Sequence, residues 1–316
     1  MTSLNGNHAA HTIPPDARAV LRIDLAALRA NWAKLNAISG SKAECAGVIK
    51  ADAYGLGLEQ IAHALTREGC RTFFVATLDE GRRARAVQPG AAIYVLDGLL
   101  PGAEEHYAGF NLRPVLSSLA EVRDWSAFNR TKSRRLPAAL HIDTGINRLG
   151  MPAPEVDQLA AAPELLMAFH VALVMSHLAC ADEQGHPMNA AQRALFDQLR
   201  AKLPKSPSSL ANSGGTFLGP DYHYDLVRPG IALYGGRAFE GGPNPMQTVV
   251  RLACRRARRS ATEPRFTPGG RRASRPSPAA TPTGSCARSA ARRASQGRPA
   301  TSARIRCRWS DASRWT

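Results

Sequence analysis

No apolar run in the 316-residue sequence approaches the roughly 20 residues needed to cross a bilayer. The opening stretch, MTSLNGNHAAHTIPP, lacks the apolar core of a secretory signal. Residues 1–17 therefore read as a disordered leader and the protein as cytoplasmic. The six cysteines, Cys45, Cys70, Cys180, Cys254, Cys286 and Cys307, form no C-x-x-C pair and no regular framework, so they read as reduced thiols. No metal site is assigned to them. Acids are nearly missing from one region. Residues 251–316 hold only Glu263 and Asp311 against 17 arginines, so almost all of the net charge of +16 lies there. Residues 1–250 are close to neutral. The same segment has no valine, and 49 of its 66 residues are Arg, Ala, Ser, Pro or Gly. Such a composition cannot bury enough apolar surface to offset the entropy of ordering the chain.

Residues 18–250 are of another kind. IDLAALRANWAKLNA carries apolar residues at helical spacing, with Asp24 as a cap. Short apolar or β-branched runs follow: AGVIK (46–50), TFFVAT (72–77), AIYVL around 93–96, LRPVL (112–116) and AALHID (138–143). AFHVALVMSHL (168–178), SSLAN (208–212) and YDLVRPGIALYG (224–235) complete the set. Amphipathic stretches such as LEQIAHALTREG and NAAQRALFDQLRAKL lie between several of them. About eight strands alternating with helices indicate an α/β fold of the (β/α)₈ barrel type rather than an open sheet.

In such a barrel the chemistry lies at the C-terminal ends of the strands. Lys50 ends the first run and Asp143 the fifth, with Asn147 and Arg148 just beyond. Ser176 and His177 follow the sixth, Asn212 and Ser213 the seventh, and Arg228 and Gly230 the eighth. Taken singly, a lysine after a strand is an ordinary solvated loop residue, and NSGGT is an ordinary turn. Together at one end of successive strands they describe a shared site. A lysine at the mouth of an apolar barrel loses hydration, so its pKa falls and it becomes a neutral nucleophile for an aldehyde cofactor. Gly214, Gly215 and Gly230 let backbone N–H groups approach an anion, and Ser213 and Tyr54 add hydroxyls that suit a phosphate. Lysine plus phosphate cradle points to pyridoxal 5′-phosphate (PLP). Arg228 is available for the pyridine nitrogen. An arginine there leaves the ring unprotonated, a weaker electron sink that favours proton exchange at Cα over deeper bond breaking.

VIKADAYGLG, LHIDTGINRLG, SHLACADE, ANSGGT and LVRPGIALYG occur in this order and resemble the barrel domain of bacterial alanine racemases, fold-type III PLP enzymes. The resemblance covers roughly residues 18–250. It implies a cytoplasmic isomerase that interconverts L- and D-alanine for cell-wall synthesis, acting on a small-molecule substrate and not on specific nucleic acid or membrane. It implies that Lys50 holds PLP and serves as one of two bases. Tyr54 and Ser213 would bind the phosphate with backbone from Gly230 and Ile231. Arg148 would contact the phenolic oxygen and the substrate carboxylate, His177 would pack on the ring, and Arg228 would meet its nitrogen. Asn212 belongs to the same cofactor-binding set. One position departs from the family. A lysine, often carbamylated, usually stands seven residues before the motif arginine, and His141 stands there in this chain. Arg148 is then held by another anion or by the neutral imidazole.

The resemblance also implies a following β-domain that supplies a tyrosine, the second base, to the other subunit of a homodimer. Residues 251–316 do not look like it. Three readings compete: a basic nucleic-acid-binding tail, a linker, or the β-domain gene in the wrong frame. Back-translation favours the third. ATPTGSC (280–286), encoded GCT ACG CCG ACG GGT TCC TGC and read from each third base, gives Tyr-Ala-Asp-Gly-Phe-Leu, part of the family's GYADGF motif. ATEPRFTP (261–268) can give YGATFHA, and RCRWSDASRWT can give VPVVGRVSMD, with one constant offset and in family order. The expectation is a frameshift near residues 253–256, an unstructured out-of-frame tail over 251–316, and a chain impaired in racemisation. A barrel-only PLP protein with a carrier or regulatory role is the alternative.

Overall fold

The computed structural model describes residues 17–254. The expected leader, apart from Ala17, and the expected tail beyond Cys254 lie outside the described residues. The chain enters on strand β1 (Ala19–Ile23) and turns into helix α1 (Leu25–Ser39), which Asp24 caps by accepting from the backbone of Ala26 and Ala27 at 3.0 Å. Then follow β2 (Glu44–Cys45), β3 (Gly47–Val48), α2 (Lys50–Gly55), α3 (Leu58–Glu68), β4 (Thr72–Val75), α4 (Leu78–Val87), β5 (Ala92–Val95), α5 (Glu104–Gly109), β6 (Arg113–Leu116) and α6 (Leu119–Arg130). The chain continues through β7 (Pro137–His141), α7 (Ala153–Ala160), α8 (Pro163–Met167), β8 (His170–Met175), α9 (Pro187–Arg200), β9 (Ser208–Ser209), β10 (Leu226–Val227) and β11 (Val250–Cys254).

Strands β3 to β9 form a parallel sheet in chain order. β10 pairs in parallel with β2, which runs on into β3. The ring closes where Asp225 N–H donates to Ser208 O at 3.0 Å and Arg228 N–H to Ala211 O at 2.9 Å. This is the expected eight-stranded α/β barrel. The eighth run is shorter than its composition suggests. Ile231–Tyr234 is apolar enough for a strand, but Leu233 and Tyr234 donate back to Gly230 and Ile231, so the segment is a turn. Among the described residues no helix is long and apolar enough to cross a membrane.

Alternation sorts the strand residues into two cores. One face packs against the helices. The other fills the lumen with Ala46, Val48, Phe74, Tyr94, Val115, Ala139, Leu173, Met175 and Leu226. Phe74 and Tyr94 stack there with ring centres 4.9 Å apart.

β1 and β11 lie outside the barrel as an antiparallel ribbon pairing Leu21 with Leu252 and Ile23 with Val250. Residue 250, after which the domain boundary is expected, begins β11, and β11 ends at Cys254, the last of the described residues. One ribbon face carries Ala19, Leu21, Ile23, Val250, Leu252 and Cys254. Leu21 and Leu252 on it are 51% and 65% exposed.

Candidate active site

A period of two carries the lumen register one step past the apolar plug. Val48 leads to Lys50, Val115 to Ser117, Ala139 to His141, Met175 to His177 and Leu226 to Arg228. Five polar side chains thus occupy the layer above the plug at the C-terminal ends of the strands. Sequence spacing along the chain had pointed to three of them as site residues: Lys50, His177 and Arg228.

Lys50 sits where strand becomes turn. Ala51, Asp52, Ala53 and Tyr54 all have φ between 53° and 58°, a left-handed turn made without glycine. Each such residue costs about 1–2 kcal/mol, so the turn must be held from outside. Glu80, 9% exposed, does this. Its Oε1 accepts from Asp52 N–H and its Oε2 from Ala76 N–H, both at 2.8 Å. Asp52 in turn accepts from Leu58 N–H at 3.1 Å and pairs with Arg83 at 2.7 Å. Burial, and next the charge of Arg148, push the Lys50 amine below its ordinary value, while Glu80 and Asp97 pull the other way. The outcome is an amine that gives up its proton more readily than a solvated lysine.

Arg228 is buried across the lumen. Its guanidinium donates to Ser209 Oγ and, at 2.5 Å, to Ser176 O, and it lies 5.8 Å from the Phe74 ring centre. Burial pushes it down to about 9, so it stays charged at neutral pH. His177 is pushed well down by burial and then by Arg228, which makes it a neutral imidazole. Asn212 Nδ2 lies 3.4 Å from His177 Nε2 and donates to Leu178 O at 3.2 Å, while its Oδ1 accepts from Gly215 N–H at 2.9 Å.

Beside this layer is a concentration of donors. Ser213 Oγ accepts from Gly230 N–H at 2.8 Å and Ala232 N–H at 3.3 Å. Ile231, between them, is exposed. Tyr54, its ring 4.6 Å from that of Tyr234, directs its hydroxyl at Gly230, where any Cβ would collide with it.

The DTGINRLG segment is a closed loop. Ile142 bridges Met151, Met151 N–H donates to His141 O at 2.8 Å, and Asp143 N–H returns to Met151 O at 2.9 Å. Asp143 Oδ1 holds Gly145 and Asn147 N–H inside it. At Gly150 (φ 111°) a Cβ would lie 2.8 Å from Asp143 N, so only glycine closes the loop. The loop presents Arg148 at the surface, within electrostatic reach of Lys50, His141 and His177. Ser176 Oγ is 2.7 Å from Thr144 Oγ1, which ties this loop to β8.

Glu80 escaped the sequence reading although a signal was present. Thr77-Leu-Asp-Glu80 is the S/T-x-x-E pattern of a helix start, and Thr77 Oγ1 does accept from Glu80 N–H at 3.3 Å. The glutamate side chain bonds Asp52 and Ala76 rather than the cap.

Comparison with known proteins agrees with this geometry. Residues 23–238 match the family described as alanine racemase, N-terminal domain. A catabolic alanine racemase of Mesorhizobium japonicum is 52% identical over 237 residues, 75% of this chain and 62% of that protein. An alanine racemase of a Methylobacterium species is 52% identical over 243 residues, covering 76% of this chain and 65% of the relative. The chain thus spans less than two thirds of the length of these relatives. The crystal structure of the Bartonella henselae alanine racemase with covalently bound pyridoxal phosphate superposes with a TM-score of 0.73 at 40% identity, covering 75% of this chain and 69% of that one. With the family's domain matched across most of the barrel, the chain belongs to the alanine racemase family.

Proposed function

We propose that this chain binds PLP at the barrel mouth and acts on alanine, exchanging its Cα proton in the interconversion of the two enantiomers. The observation that carries the reading is the pairing of Lys50 with the Ser213–Gly230 cradle around one lumen layer. The residues fit the group. Ser213 Oγ gathers the Gly230 and Ala232 N–H groups, the Tyr54 hydroxyl lies against Gly230 where a Cβ would collide with it, and a buried charged arginine stands across the layer.

When bound, PLP supplies an electron sink that acidifies the Cα proton of an attached amino acid. Ser213, Tyr54 and the backbone at Gly230 and Ile231 would hold the phosphate. His177, neutral and backed by Asn212, would pack on the ring. Arg228 would donate to the ring nitrogen and give up no proton to it, which would keep the sink weak and suited to proton exchange. Arg148 orients the substrate carboxylate. Lys50, its amine pushed below the ordinary lysine value by burial, would take or return the Cα proton on its own face.

Racemisation needs a second base on the opposite face. We propose that a β-domain tyrosine supplies it in an intact homodimer, and that the coding sequence after about residue 254 is out of frame. Back-translation of residues 261–316 supports this. A cytoplasmic location accords with this reading. Purified chain mixed with PLP is expected to develop the absorption band of lysine-bound cofactor, and Lys50→Ala to lose it. A band unchanged in Lys50→Ala defeats the assignment.

A further inference from the structure

Strand β8 ends at Met175, short of the histidine it presents to the site. Ser176 N–H still makes a ladder bond, to Ser209 O at 3.0 Å. Beyond it, side chains take hold of the backbone. Arg228 donates to Ser176 O at 2.5 Å, and Asn212 Nδ2 donates to Leu178 O at 3.2 Å. Gln192, on α9, takes the groups either side of Leu178. Its Nε2 donates to His177 O at 2.9 Å, and its Oε1 accepts from Ala179 N–H at 2.8 Å. The other Nε2 hydrogen reaches Thr144 Oγ1 at 3.3 Å.

Gln192 belongs to the buried stripe of α9 with Asn189, Phe196 and Leu199, and it is 1% exposed. An apolar side chain would serve packing alone, whereas a buried amide costs free energy unless its groups are bonded. Here both N–H donors and the oxygen are in use. The orientation of the amide is fixed as well. Turned over, its oxygen would face a carbonyl and its nitrogen an N–H. An ionised glutamate of the same shape has no donor for His177 O. Asn212 Nδ2 lies 3.4 Å from His177 Nε2, so ring and backbone of this histidine each have an amide partner, one after β9 and one on α9. We infer that Gln192 is a positioning residue: its amide locks the backbone of His177, so that the imidazole already stands in place for the PLP ring. Ordering done in the empty site does not have to be repeated when the cofactor binds. The inference rests on the reading of Lys50 and its cradle given above.

A double-mutant cycle on PLP binding, read from the lysine-bound band of the full 316-residue chain, tests it. Gln192→Met keeps the length and removes all three bonds. Gln192→Glu keeps the shape and the acceptor and removes the donors, and it decides the matter if the methionine variant does not fold. Each is expected to weaken PLP binding about tenfold when His177 is present and to have little effect in a His177→Ala background. The circular dichroism of the lysine-bound band, which reports how firmly the ring is held, is expected to fall in the same two variants. Equal losses in both backgrounds would show a general loosening of α9, and normal binding in either variant would show that the amide bonds are idle. Both results overturn the inference while leaving the cofactor assignment intact. Failure of the unmodified chain to form the band overturns the assignment of Lys50 and this inference with it.

Discussion

The carboxylate of Glu80 accepts the backbone N–H of Asp52 at 2.8 Å and so fastens helix α4 to the left-handed turn that begins just after Lys50. The lysine is displayed by a strained segment, and the strain is held by one buried acid from the next βα unit. Glu80→Ala strips partners from two backbone donors, those of Asp52 and Ala76. It is expected to cost about 3 kcal/mol in urea unfolding and to slow capture of PLP by Lys50. A loss within 0.5 kcal/mol with normal capture would mean that the turn holds itself.

Gly230 is expected to tolerate no side chain, because any Cβ there meets the Tyr54 hydroxyl. Gly230→Ala should weaken PLP binding by at least tenfold with little change in thermal stability. Removing the obstructing oxygen, as Tyr54→Phe, should recover part of the loss in the double variant. Titration of the four proteins with PLP decides this. Strictly additive losses would show that the two residues do not meet.

Much of the barrel was legible in the sequence because its signals are local. Asp24 stands one residue before α1, and seven of the eight apolar runs became strands within two or three residues of their expected ends. The eighth failed over Ile231–Tyr234, where composition said strand and the backbone closed a turn for the phosphate cradle. The ribbon went unread for the opposite reason. AVLRI and VRLAC alternate plainly enough, but they are about 230 residues apart, and the first was absorbed into the approach to α1. In the site, residues borne on strand ends were visible from spacing. Glu80 was not, since its partners are backbone amides 28 and 4 residues away and no side-chain motif records them.

Acid is expected to destabilise the barrel between about pH 6.5 and 4. His141 binds its proton only near pH 4 when folded, against an ordinary value of 6.5, and burial shifts His177 in the same direction. Within that window the unfolded chain takes up protons that the folded chain does not, so stability falls as pH falls and is restored above it. The His141 contribution is at most roughly 3 kcal/mol. Unfolding free energies measured from pH 7 to pH 4 should drop, and His141→Gln should flatten the curve. An unchanged slope in that variant would assign the acid sensitivity elsewhere.

The barrel is expected to carry one working base, Lys50, without its opposite number. Deuterium incorporation at Cα of L- and D-alanine in heavy water, followed alongside racemisation in the PLP-loaded 316-residue chain, tests this most directly. Loss of a positioned base costs about 10²–10⁴-fold in rate. One enantiomer should therefore exchange much faster than either is racemised, the exchange should vanish in Lys50→Ala, and restoring the frame near codon 254 should bring racemisation up to match it. Racemisation as fast as exchange in the unrepaired chain, or exchange that survives Lys50→Ala, would contradict the account.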